Sequence, residues 1–378
     1  MGSDALGQLI NVLQEAGKNG ITDRAVVGFD GFIDRISRVV KVREDRERFT
    51  PFATISEFGN RIREAAGKSC DLEYVTEMEK IGGNSPIMAH ALARLGIATT
   101  LLGAIGYPEI CPVFRQIDPH CRIIPISSPS FCTALEFSDG KVMLSDLKIL
   151  DEVNWKLLTE RVPRSTLREI FEESRLVGFL NWSQLSAVET IWEGVLTEIV
   201  LAPNFPTTGE RFLFVDLADL SKKTSGDVRR AFALIGRFSG SHRVFLGMNE
   251  NETRLVQRAH FPEDPSNRLL LQAVEKIFGE LSIEGIVVHL VNECFMVSRQ
   301  GTFQARGTRI FRPKLLTGGG DNFNAGFCFG LLLGQPYAHC LILGTYTAGY
   351  YVREGQSANL PVLIDELRQA SFEPCNQF

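Results

Sequence analysis

Apolar runs of strand length recur along the chain at 24–28, 99–103, 176–180, 212–215, 244–247 and 285–290. Such runs, with little alternation, read as strands buried on both faces. Between them the apolar positions take helical spacing, at 87–95, 186–201, 228–238, 251–259 and 269–281. Alternation of the two predicts a parallel sheet covered by helices on both faces. Two segments break the rhythm. Residues 33–42 and 131–144 alternate apolar and polar positions, as half-buried antiparallel strands do, and Ser138-Asp139-Gly140-Lys141 is a hairpin turn signal. They are expected to pair into a small sheet, a lid, with 43–48 and the helix-like 55–66 leading back to the main body. No repeat, low-complexity tract or linker cuts the chain. The expected division is a main domain over 1–32, 50–126 and 147–378 and a lid over 33–49 and 127–146.

Composition narrows the class without identifying it. The chain has 378 residues, 44% of them hydrophobic and 22% charged, close to the globular average. A net charge of −5 offers no field to concentrate nucleic acid. Eight cysteines at 70, 111, 121, 132, 294, 328, 340 and 375 form no C-x-x-C pair, so reduced thiols are expected rather than disulfides or a zinc site. The six histidines lack metal-ligand spacing. No secretory leader is legible in the first twenty residues and no apolar run approaches the ~20 residues of a membrane span. A cytoplasmic protein with neither nucleic acid nor membrane as partner is expected. G-x-G-x-x-G, H-E-x-x-H and G-x-S-x-G are absent, and the P-loop-like Gly67-Lys68-Ser69 has Ile62 where the first glycine belongs.

Three segments carry candidate chemistry. Thr317-Gly318-Gly319-Gly320-Asp321-Asn322-Phe323-Asn324 precedes an apolar helix-like run. Successive glycine amides and the positive end of a helix would hold an anion, and an aspartate there would accept a proton from a substrate hydroxyl. The same residues also suit a glycine-rich turn with an aspartate cap. Gly82-Gly83-Asn84 opens a second helix-like run, either as a bared backbone that a sugar approaches or as a plain helix entry. Asp30 and Asp34 follow the first strand, where ligands gather in open α/β sheets, and would grip a diol or face solvent.

In this order, G-F-D-G-F-I-D, G-G-N-S-P-I-M-A-H-A-L-A-R-L-G, N-E-N-E and T-G-G-G-D-N-F-N-A-G-F resemble the ribokinase-like (PfkB) carbohydrate kinases over residues 24 to 356. The resemblance implies an α/β fold of the ribokinase-like kind: a three-layer α/β/α sandwich with a small β lid. It also implies ATP as donor, Mg²⁺, and a sugar, sugar-like alcohol or nucleoside as acceptor; a monovalent cation is left open. Carried over, Asp321 is the catalytic base and Gly318, Gly319 and Gly320 the anion hole. Asn249 and Glu252 fall on the N-x-x-E motif that organises Mg²⁺ through water. Thr317, His289 and Asn324 fall beside the nucleotide, Gly82, Gly83 and Asn84 on the substrate loop, and Asp34, with Asp30 as rival, on the acid that grips the sugar. The family's usual Asp-Thr before the glycines is Leu315-Leu316, its substrate asparagine is Ile87, and its T-x-G-x-x-G reads His289 to Cys294 with neither glycine. The competing reading is a degenerate member that binds sugar or nucleotide without turnover. An apolar face at Ile36, Val39 and Val40 would suit a homodimer through the lid, or be covered within the chain.

Overall fold

The computed structural model describes residues 3–206, 208–263, 269–307 and 310–372. Fourteen strands run in chain order: β1 (Arg24–Phe29), β2 (Phe32–Arg43), β3 (Phe49–Pro51), β4 (Tyr74–Gly82), β5 (Ala98–Gly103), β6 (Cys121–Pro125), β7 (Ser130–Phe137), β8 (Gly140–Asp146), β9 (Leu176–Phe179), β10 (Phe212–Asp216), β11 (Arg243–Asn249), β12 (Gly285–His289), β13 (Glu293–Ser298) and β14 (Gly301–Arg306). Nine build the main sheet in the order β14-β13-β12-β11-β10-β9-β1-β5-β6. It is parallel from β12 to β6, with β13 and β14 as an antiparallel hairpin on one edge.

Period-two alternation sorts the strand side chains into two cores, one for each face. Val26, Leu102, Val177, Leu213, Leu246 and Val288 belong to one cluster; Ala25, Val27, Leu101, Leu176, Phe214 and Val287 belong to the other. The second is closed by the helices Asn84–Arg94, Gly319–Leu332 and Tyr337–Glu354. After β1 the chain builds β5 and β6 on one side and later β9 to β12 on the other. Such a reversal opens a crevice at the carboxyl ends of the strands. Among the described residues no helix is long and apolar enough to cross a membrane. The seven described cysteines are free thiols; Cys375 lies outside the described residues.

The second sheet runs β3-β2-β7-β8 with β4 also paired to β2. It is larger than the expected lid, because residues 50–51 and 74–82 also belong to it. The pattern of β4 is mostly exposed and polar, so no apolar face marks it. Backbone pairing to β2 holds it in place, with the Arg35–Glu79 and Arg38–Glu77 ion pairs at 2.8 and 3.2 Å across the register. The segments 33–42 and 131–144 do pair, but β2 and β7 run parallel. Both leave the main body beside Gly31, whose carbonyl accepts the Ser130 N–H at 3.0 Å, so they set out in the same direction. Val39 is not part of an exposed face; it packs with Phe52, Phe58 and Leu135 inside the chain.

Candidate active site

Carboxylates, amides and one imidazole collect where the parallel strands end. Asp30 follows β1, Asn181 follows β9, Asp216 closes β10, Asn249 closes β11 and His289 closes β12. A cavity of about 790 Å³ lies over the β10–β12 ends, lined by Asn84, Asp216, Asn249, Glu252, His289 and residues 316–321 among others.

The two candidate acids near β1 are separated by their partners. Asp30 is fully buried and accepts the Asn84 and Ser85 backbone N–H groups at 2.9 Å each and the Asn181 side-chain amide at 2.8 Å. It therefore pins the start of the helix Asn84–Arg94. Asp34 keeps its carboxylate 3.7 Å from the Lys80 ammonium. Burial pushes Asp34 up to about 6, against the pull of Lys80 and Lys141. Gly82 is glycine because a Cβ there would meet the Asp34 carboxylate oxygen at 2.2 Å, so this glycine makes room for an acid of the protein itself.

Asp321 sits in the first turn of the helix Gly319–Leu332, behind Gly318 in the left-handed region at φ 98°. The first amides of a helix have no intrahelical partner. Here the Gly319 N–H is taken by the Leu316 carbonyl at 3.2 Å, which leaves the Gly320 and Asp321 amides as the unbonded ones of the first turn. Burial, then the Asp216 and Asp30 carboxylates, push Asp321 well above the usual carboxylate range. Its Oδ1 is buried with no partner among the described residues. A carboxylate this poorly solvated is a strong proton acceptor once ionised. Thr317 faces the lid: its carbonyl accepts from Lys80 at 3.4 Å and from the Tyr351 hydroxyl at 2.9 Å, and its hydroxyl accepts from Lys141.

On the other side of the cavity, Asn249 and Glu252 form a reciprocal capping box at the start of the helix Glu250–His260. Asp216 is the neighbour that motif spacing did not select, although a carboxylate at the end of an expected strand was the available signal. Burial and Asp216 push Glu252 up to about 8, and burial pushes Asp216 up to about 6. Asn324 does not line the cavity. Its side-chain amide donates to Asp216 at 2.7 Å, so it supports that carboxylate from behind. His289 is held neutral, burial bringing it down to about 4, with its ring 5.3 Å from that of Phe323. Lys80, Lys141 and Tyr351 had no sequence signal, since each reaches the site only through the pairing of distant segments.

A family model described as prokaryotic ketohexokinase matches residues 10–369. The ketohexokinase of Haloferax volcanii is 28% identical over 349 residues, covering 91% of this chain and 90% of that protein. Two solved structures share the fold. Arabidopsis thaliana ribokinase complexed with ribose and ATP aligns at TM-score 0.61 and 14% identity, over 92% of this chain and 99% of that one. Adenosine kinase from Sinorhizobium meliloti aligns at TM-score 0.63 and 17% identity, over 93% and 100%.

Proposed function

The chain belongs to the prokaryotic ketohexokinase family, and from that premise we propose that its site passes the γ-phosphoryl group of ATP to a hydroxyl of a ketohexose, with Asp321 as base. That it is an ATP-dependent sugar kinase follows from the family. The observation that carries it is the position of Asp321. It stands beside the free amides of its own helix, in the same cavity as Asn249, Glu252 and His289. The acceptor oxygen forms its bond to the γ-phosphorus as the bond to the β,γ-bridging oxygen breaks. The hydroxyl proton passes to Asp321 and ADP leaves with the electron pair. The Gly320 and Asp321 amides bear on the charge of the group in flight. Asp34 grips the sugar hydroxyls, Asp30 and Gly83 hold the loop that carries Asn84, and His289 lies against the donor phosphates as a neutral donor.

Mg²⁺ fits the far side of the cavity. Asp216 and Glu252 are both buried acids lining it, and the Asp216 carboxylate helps to push Glu252 up, so a cation between them would relieve that repulsion. Asp216, Glu252 and Asn249 would hold the ion, partly through water, and bound there it neutralises charge on the donor phosphates. A buried acid raised in the folded state binds its proton more tightly there than in the unfolded chain. Stability from Glu252 is therefore largest below pH 4.5 and falls as the pH rises towards 8. A divalent cation that relieves this strain should raise Tm more at pH 8 than at pH 6, by on the order of a few degrees. In Glu252→Gln that pH-dependent gain should vanish; a gain equal at both pH values in the wild type would count against the site.

The acceptor is tested by ADP release with ATP and Mg²⁺ across ketohexoses, aldoses, polyols and nucleosides. Release should be strongest with ketohexoses; a preference for nucleosides would overturn the assignment. Asp34→Asn should raise the KM for the preferred sugar about 10–100-fold while kcat changes much less, because charged hydrogen bonds are worth about 1.5–3 kcal/mol each. An unchanged KM would remove Asp34 from the sugar site.

A further inference from the structure

Two lysines of the small sheet meet the glycine loop, and nothing in the reaction described above uses them. Lys80 on β4 lies directly across from Asp34 of β2. Lys141 on β8 lies across from Glu136 of β7. Both turn to the main body and reach the same residue, Thr317, immediately before Gly318. The Lys80 side chain is only 13% exposed, unusual for a charged lysine. Its one ion-pair partner among the described residues is Asp34, at 3.7 Å, and Lys141 makes none. The Thr317 carbonyl and hydroxyl are neutral, so they satisfy hydrogen bonds without balancing charge. Lys141 also feels Glu136 and Lys80 also feels Asp321, but only Asp34 stands within ion-pair distance of either lysine among the described residues, and both ammonium groups stand at the entrance of the glycine loop.

We propose that Lys80 and Lys141 are phosphoryl-binding residues, which grip the group in transfer and the phosphate of the sugar-phosphate product. The inference rests on the kinase reading of this site. A helix start supplies only partial charge, equivalent to about half an elementary charge, and two amides reach only part of a phosphoryl group. Charge in transfer is spread over three equatorial oxygens. Thr317, which both lysines reach, stands three residues before Gly320, so their ammonium groups lie on the lid side of the loop, where lysines act as compact point charges towards phosphate. Because both lysines ride on lid strands, the lid closes on an anion rather than on sugar alone. Opening it removes both cations from the product together.

The test uses the full chain and the phosphorylated product collected from the wild-type reaction. Lys80→Gln and Lys141→Gln keep a hydrogen-bond donor for Thr317 and remove the charge. Each should weaken product binding, read as inhibition and by calorimetry, by about 10–100-fold, and lower kcat by a similar factor. For Lys141→Gln, binding of the unphosphorylated sugar should stay within about threefold, and Lys141→Arg should recover most of the product affinity. Product affinity at the wild-type level in both glutamine variants would overturn the proposal. So would a loss confined to Lys80→Met and Lys141→Met, which would make the two lysines a mechanical latch. Absence of sugar-dependent ADP release from the wild type would instead sink the kinase reading, and this inference with it.

Discussion

Asp321→Asn is expected to lower kcat by about 10²–10⁴, the usual contribution of a positioned general base, while sugar binding stays near the wild-type level. The substitution keeps the shape of the side chain and removes its capacity to take a proton. Asp321 is the one described carboxylate in the first turn of the helix whose free amides face the cavity. Its Oδ1 has no partner among the described residues, so no structural hydrogen bond is lost at that oxygen. An amide there is also neutral, which relieves the repulsion from Asp216 and Asp30 that helps to push Asp321 up. The variant should thus be at least as stable to heat as the wild type, and loss of turnover without loss of Tm separates catalysis from folding. Turnover above about a tenth of the wild-type rate would assign the base elsewhere.

Gly318→Ala should cost about 10²–10³ in kcat, the range for loss of a preorganised donor at a charged transition state. Gly318 has φ 98°, which side-chain-bearing residues rarely adopt, and a Cβ there would stand 2.6 Å from the Tyr351 hydroxyl. That hydroxyl donates to the Thr317 carbonyl at 2.9 Å, so displacing it disturbs the loop on both sides of the glycine. Gly301→Ala is the matched control. It has φ 119° with open space around a Cβ, in the turn between β13 and β14, so it carries the backbone strain without the collision. Tyr351→Phe combined with Gly318→Ala should recover part of the loss, since the nearest colliding atom is the hydroxyl oxygen. If Gly318→Ala and Gly301→Ala behave alike, the loop is not the anion cradle.

The six buried strands expected from apolar runs are all present, because a strand packed on both faces leaves its mark in a few consecutive residues. The same holds for Thr317 to Asp321, where glycines and a following apolar helix are local features. Other residues take partners that the sequence does not show, because the cause is not local. Asp30 and Asp34 read alike in the sequence, yet Asp30 is consumed by two backbone amides from residues 84 and 85 and a side chain at 181. Asn324 lies three residues from Asp321, but helical geometry turns it towards Asp216 instead of the cavity. Gly319 opens the helix, but its N–H is spent on the Leu316 carbonyl.

By itself the sequence determined the parallel sheet, its two apolar faces, the strand ends where ligands gather and the glycine loop with its aspartate, because all of these follow from periodicity and backbone freedom over short spans. Only the tertiary structure decided that Asp30 spends its oxygens on partners inside the protein, that β4 joins the lid, that β2 and β7 run parallel, that Asp216 lines the cavity, and that Lys80, Lys141 and Tyr351 meet at Thr317. Those features depend on register and packing between segments far apart in the chain. A residue such as Lys80 acquires its neighbours Asp34 and Thr317 only when β4 docks on β2 and the lid meets the main body.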